Sequence, residues 1–207
     1  LPALTLLARA HEDLPRQPPW QAVTPWPDRI VATPVADPAR GFAVTWRTDA
    51  SVREAHAEIA RATPDARFDL GARRVSARTE RLALDRLVLE GTSILVGDNA
   101  GLPAAHFHSV VFEDLEPDTL YAYRVSGGDG AWSEWFQLRT AATTGPVTFL
   151  YLGDAQNGIV GHWPRVIRAA WATAPEADFV IHTGDLVDHG SRDYEWAAWF
   201  RAVGFIH

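Results

Sequence analysis

The hydrophobic period of the chain changes at residues 140–146, TAATTGP, and that change limits the folds open to it. Upstream, apolar and polar residues alternate. GFAVTWRT sets Phe42, Val44 and Trp46 on one face, and TLYAYRVSG sets Tyr121, Tyr123 and Val125 opposite Leu120, Ala122 and Arg124. Such alternation marks half-buried strands. Downstream, VTFLYL and FVIHT are continuous apolar runs, which suit strands covered on both faces, and a helix-length segment separates them. A chain of 207 residues with this switch holds two architectures joined by a small-residue linker.

The upstream part, residues 29–142, contains further strand patterns in AHAEIAR, AHFHSVVFEDL and SEWFQLRTA, and RRVSARTERLAL reads as one long strand with an exposed face. Asp37-Pro38, Thr63-Pro64, Glu116-Pro117-Asp118 and Gly127-Gly128-Asp129-Gly130 are turn signals between them. About seven short strands punctuated this way predict a β-sandwich. In AHFHSVVFEDL, His106 and His108 share a face with Val110 and Phe112, and the pair is expected on a solvated strand face. Residues 85–104 read either as a strand or as a long loop. In LEPDTLYAYRV, Leu115, Pro117, Thr119 and Tyr121 have the spacing at which a tyrosine hydroxyl folds back onto a proline-set turn, a tyrosine corner. This stretch resembles a fibronectin type III domain, and Tyr121 is expected to be structural.

Residues 1–28 form a lead-in. Five prolines between residues 11 and 28 favour extended chain without backbone donors. The opening LPALTLLARAHED fits two readings: the tail of an export signal ending at Ala8-Arg9-Ala10, or an amphipathic helix. The first implies a periplasmic or secreted protein. No stretch reaches the ~20 apolar residues of a membrane span. With 19 Lys and Arg against 26 Asp and Glu, the formal charge of −7 argues against a nucleic-acid or anionic-membrane partner. It remains compatible with a phosphorylated substrate if metal ions supply positive charge. The absence of cysteine removes disulfides and thiolate metal sites.

The downstream part, residues 147–207, reads β-α-β-α. HWPRVIRAAWATA is a helix with Pro164 in its first turn and Val166, Ile167, Ala170 and Trp171 at helical spacing. SRDYEWAAWFRAV is a second helix, N-capped by Ser191 or Asp193, with Trp196, Trp199, Phe200 and Val203 on one face. A right-handed crossover makes the two strands parallel. Each strand ends in Gly-Asp, at Asp154 and at Asp185. Ligands of parallel sheets lie beyond the carboxyl ends of strands, and adjacent strands are ~4.8 Å apart. Two ionised carboxylates at such a rim repel unless a cation lies between them. Oxygen donors without cysteine suit Mn, Mg, Fe or Zn. Each aspartate alone is also a common turn residue or cap. His182, inside an apolar run, is expected to be an interior residue, and His162 a loop residue.

GDAQ followed by DFVIHTGDLVDHG resembles the first two signature blocks of the calcineurin-like metallophosphoesterases. With PDRI and VTWRTD in front, the arrangement is similar to purple acid phosphatases and their bacterial relatives. The resemblance implies a fibronectin III-like β-sandwich followed by the first β-α-β-α part of an α/β metallophosphoesterase domain. It implies hydrolysis of phosphate esters, as in acid phosphatases, by a metal-bound hydroxide at a pair of Fe, Zn or Mn ions. Asp154 would ligate the first ion and Asp185 would bridge both. Many family members have a metal-ligating histidine where this chain has Gln156, which we assign to the site through its carbonyl oxygen or a hydrogen bond to a metal-bound water. Purple acid phosphatases carry the colour-giving tyrosine where this chain has Asp188, so no purple colour is expected; Asp188 either reaches the site or caps the following helix, and His189 lies in the same loop. The later Gly-Asn-His block is missing, so the C-terminal half of the catalytic domain is expected elsewhere and this chain alone is expected to be inactive. The rival reading is a fibronectin-type binding or adhesion module with a degenerate, non-catalytic α/β tail.

Overall fold

The computed structural model of the chain describes residues 21–88, 92–93 and 97–206. These cluster into two units: a β unit of Val23–Leu84 with Pro103–Val147, and an α/β unit that joins Asp85–Leu102 to Thr148–Ile206.

The β unit has two four-stranded antiparallel sheets. One has the order β1 (Asp28–Pro34), β2 (Phe42–Asp49), β6 (Ala105–Phe112), β5 (Arg78–Leu82), and the other β4 (Arg73–Ser76), β3 (His56–Arg61), β7 (Leu120–Val125), β8 (Phe136–Arg139). The alternating residues converge as their period predicts: Phe42, Val44, Trp46, Val110 and Phe112 from the first sheet form one core with Ala57, Ile59, Tyr121, Tyr123 and Val125 from the second. Removing each large side chain from water contributes about 1.5–3 kcal/mol. The Phe42 ring meets those of Phe112 and Tyr123 edge-on, at 5.1 and 5.4 Å. The Trp46 indole N–H donates to the carbonyl of Ser126 at 3.0 Å, so the largest core residue carries no unsatisfied donor. The Tyr121 hydroxyl accepts from the Glu116 N–H at 3.0 Å, which is the expected corner.

Two expectations fail here. The stretch RRVSARTERLAL is not one strand. It breaks at Ala77, and β4 and β5 pair in different sheets, β4 with β3 and β5 with β6. Alternation continues across the break because both strands present alternate residues to the same interior, so period alone does not reveal the crossing. His106 and His108 are buried, 9% and 1% exposed, rather than on a solvated face. Three of their four ring nitrogens have partners shown. His106 Nδ1 lies 2.8 Å from the carbonyl of Val52, and His108 Nε2 and Nδ1 lie 2.8 and 2.9 Å from the Thr48 and Thr79 hydroxyls.

In the α/β unit, β9 (Phe149–Leu152) and β10 (Phe179–His182) are parallel and in register from Phe149↔Phe179 to Leu152↔His182. The connecting helix α1 spans Ile159–Thr173, and α2 (Asp193–Val203) follows β10. Helix α1 starts five residues before Pro164, which therefore lies beyond the first turn, and His162 is helical rather than in a loop. Its buried stripe is Ile159, Trp163 and Ile167, while Val166 and Trp171 are exposed. This stripe packs on Ala198, Trp199, Ala202 and Val203 of α2. His182 faces the helices, its ring centroid 6.0 Å from that of Trp163 and 5.3 Å from that of Trp199, and burial holds its pKa below the usual histidine range. The strands are not covered on both faces as their continuous apolar runs predict: among the described residues Phe149, Tyr151 and Ile181 form an exposed face. No helix of the described residues is long and apolar enough to cross a membrane. The N-terminal lead-in lies mostly outside the described residues.

Candidate metal centre

Past the strand ends, the two Gly-Asp turns are joined to each other. Strand β9 ends at Leu152 and β10 at His182, so Asp154 stands two residues beyond its strand and Asp185 three. Thr183 takes up the difference: its N–H donates to the Leu152 carbonyl at 2.9 Å, which extends the parallel ladder by one step. The Asp154 N–H then meets the carbonyl of Gly184 at 3.4 Å, and the Gln156 N–H donates to the carbonyl of Asp185 at 3.0 Å. The three candidate residues are thus brought to one rim by backbone contacts that alternate between the turns.

Both aspartates adopt left-handed backbone, φ 53° at Asp154 and 52° at Asp185. Short polar side chains tolerate this region, but it costs free energy and recurs where a site fixes the chain. The glycines have separate reasons. Gly184 has φ 112°, unfavourable for any side chain. A Cβ at Gly153 would lie 2.8 Å from the Thr183 hydroxyl, so the close approach of the two turns requires glycine there.

Asp154 and Asp185 are exposed, and Gln156 is half-buried. The Gln156 amide donates through Nε2 to Asp185 Oδ2 at 3.0 Å. That leaves its carbonyl oxygen and the second Asp185 oxygen available to a ligand. Among the described residues no Lys, Arg or His forms an ion pair with either aspartate, so the two hydrogen-bonded turns each present a carboxylate without a side-chain cation. That donor set fits a hard or borderline divalent ion.

A second acidic group lies further along the same loop. Ligand atoms of Asp188, His189 and Glu195 fall within 4.8 Å of one another. His189 Nδ1 is 2.9 Å from Asp188 Oδ2 and 3.4 Å from Glu195 Oε1. Arg192 enters this group, with Nη1 3.3 Å from Glu195 Oε1 and 3.0 Å from His189 Nδ1. A guanidinium already supplies the positive charge, so this is an ion-pair network that braces the loop. Asp188 belongs to it, and helix α2 is capped otherwise than expected. Its N-cap is Arg192, without a side-chain capping bond, in place of Ser191 or Asp193. The Asp193 N–H is instead satisfied by Asn99 Oδ1 at 3.0 Å. Sequence reasoning passed over Asn99, Arg192 and Glu195; only Glu195, in the first turn of a predicted helix, carried a local signal.

Comparison with known proteins gives two family matches. The model described as purple acid phosphatase, N-terminal domain, matches residues 27–140, and that of the calcineurin-like phosphoesterases matches residues 147–205. Among solved structures, the purple acid phosphatase PPD1 from yellow lupin (Lupinus luteus) seeds is similar with a TM-score of 0.64 and 16% identity, over 87% of this chain and 33% of that one. The fn3 domain of human contactin 1 is similar over 59% of this chain and 82% of that one, at 16% identity and a TM-score of 0.36. The chain spans about a third of the length of the lupin phosphatase. No curated protein matches the chain in sequence.

Proposed function

We propose, from the premise that this chain belongs to the purple acid phosphatase N-terminal domain family and continues into a calcineurin-like phosphoesterase segment, that it is the front part of a metal-dependent phosphoesterase acting on phosphate esters. The observation that supports the reading is the stitched rim, where the turns that carry Asp154 and Asp185 are hydrogen-bonded to each other and, among the described residues, neither carboxylate has a cationic partner. Asp154 would hold one ion and Asp185 would hold or bridge two. Bound Fe, Zn or Mn would supply Lewis acidity toward a phosphoryl oxygen and an activated water.

The chain's own residues do the holding. The backbone contacts from Leu152 to Thr183 and from Gln156 to Asp185 hold the two turns together. The Gln156 amide occupies one oxygen of Asp185 and so orients the other. Two carboxylates and one amide are fewer donors than two ions require. These residues by themselves are therefore expected to bind metal weakly and to turn over little ester.

Titration of the protein with Mn²⁺ and Zn²⁺ by calorimetry tests the reading, with Asp154→Asn and Asp185→Asn beside the wild type. Binding that weakens in both variants, and ester hydrolysis by the full-length protein that depends on added metal, are expected. Binding indifferent to both substitutions refutes it.

A further inference from the structure

The segment Asp85–Leu102 lies between β5 and β6 in sequence but clusters with the α/β elements. Its 3-10 turn, Gly97–Asn99, ends in a fully buried asparagine, 0% exposed. The Asn99 side chain makes two contacts across more than ninety positions of sequence: Nδ2 donates to the carbonyl of Ser191 at 2.7 Å, and Oδ1 accepts from the Asp193 N–H at 3.0 Å. Ser191 is near the end of the loop that begins at Asp185, and Asp193 is the first residue of α2. A buried amide with one good donor contact and one good acceptor contact holds its partners more firmly than an exposed one, because no water competes for them.

Asp98 continues the connection. Its Oδ2 lies 3.3 Å from Arg192 Nε. Arg192 reaches Glu195 and His189, the His189 N–H donates to Glu195 Oε2 at 2.6 Å, and His189 meets Asp188, three residues after Asp185. The Trp196 indole N–H donates to the carbonyl of Gly190 at 2.7 Å. The loop is therefore held at its near end by Gln156, along its length by α2, and at its far end by Asn99. Only the last of these comes from outside the β-α-β-α run.

We propose that Asn99 is a positioning residue for the Asp185 rim: by fixing Ser191 and the first turn of α2, it limits the freedom of the loop and so the placement of the Asp185 carboxylate. This rests on the metal reading above. An outer-shell partner that orients a ligand typically changes metal affinity ten- to a hundredfold when removed; Asn99 acts at one remove, and about tenfold is expected.

The test compares wild type, Asn99→Ala and Asn99→Asp by Mn²⁺ calorimetry at a temperature where each is folded, with amide exchange of residues 186–197 in the metal-free protein. Asn99→Asp keeps an acceptor for the Asp193 N–H, and aspartate is a good cap, but its carboxylate repels the Ser191 carbonyl. It should protect the α2 amides, free residues 186–191 and weaken Mn²⁺ binding about tenfold. Asn99→Ala should free both segments and weaken binding at least as much; should it fail to fold, Asn99→Asp still decides. Mn²⁺ affinity equal to wild type in Asn99→Asp overturns the proposal, even if loop exchange quickens, since the loop would then be held for stability alone. A wild type that binds no Mn²⁺ removes the metal reading and this inference with it; wild-type binding without the Asn99 effect removes this inference alone.

Discussion

The buried histidine of the sandwich makes its stability acid-sensitive, and the size of the effect follows from the geometry. Thr48 Oγ1 lies 3.0 Å from the Asp49 carbonyl, to which it donates. It must then accept from His108 Nε2–H, and Thr79 Oγ1 donates to Nδ1. The ring is held neutral, with its one acceptor filled by a hydroxyl that would have to turn round if Nδ1 gained a proton. Burial, reinforced by neighbouring His106, lowers the His108 pKa from 6.5 to about 4. Between those values the unfolded chain binds a proton that the folded chain does not, so stability rises with pH across this window. Above pH 6.5 both states are neutral and the full stability is present. It falls as pH drops, and below pH 4 the loss levels off near the full shift, about 3 kcal/mol at ~1.4 kcal/mol per pKa unit. Urea unfolding at pH 7.5 and pH 5 should differ by roughly 2 kcal/mol more in wild type than in His108→Gln, which has no titrating ring. The His108 ring resonances should remain those of neutral imidazole at pH 5.5. A His108 midpoint near 6.5, or equal pH slopes in the two proteins, refutes the reasoning.

Tyr121→Phe removes the corner bond to the Glu116 N–H and should cost about 1–2 kcal/mol in urea unfolding; a neutral result means water replaces the hydroxyl. Trp46→Ala, at the centre of the sandwich, should cost about 3–5 kcal/mol, read as a lower urea midpoint of the β unit. Gly153→Ala drives a methyl into the Thr183 hydroxyl, so it should lower the melting temperature, and Thr183→Ala in the same protein should restore part of the loss. Additive losses in that double variant would mean that the two turns do not touch as described.

Where a residue's setting depends on its neighbours in sequence, it could be read in advance. Phe42, Val44 and Trp46 follow a period of two, Tyr121 follows a local turn, and both are found as read. The sheet change at Ala77 preserves the period, so it leaves no trace in the pattern. For His106 and His108, alternation with Phe107 identified the face they share but not which face is core; Trp46, its ring tilted against that of His108 at 5.3 Å, decides that from the neighbouring strand. Pro164 hid the true start of α1, because a proline suits a first turn and here lies past it. At the rim, Asp154 and Asp185 were legible because strand ends carry a recognisable Gly-Asp. The Asn99 cap was not, because its partners lie more than ninety residues away and Arg192, the local N-cap, has no acceptor to announce the vacancy.

Several carboxylates of the fold are partnered by arginine, and among the described residues Asp154 and Asp185 are not. Asp28 receives two hydrogen bonds from buried Arg47, at 2.8 and 2.6 Å. Glu58 is buried in the second sheet; burial alone would raise its pKa, but hydrogen bonds from Arg74 and Arg124 bring it below the usual carboxylate range. Arg124 in turn stacks between Trp132 and Trp135, at 4.5 and 4.6 Å from their rings, so its guanidinium is fixed before it meets Glu58. Glu195 has Arg192. For Glu58 and Glu195, removing the cations would leave a poorly hydrated carboxylate, at a cost of several kcal/mol. Asp154 and Asp185 differ: they are exposed, their backbone is left-handed, and the turns that carry them are hydrogen-bonded to each other. Exposed to water, their charges interact only weakly with their surroundings. A divalent ion bound there, as proposed, would exchange that water for carboxylate oxygens, and the interaction would strengthen as the water leaves.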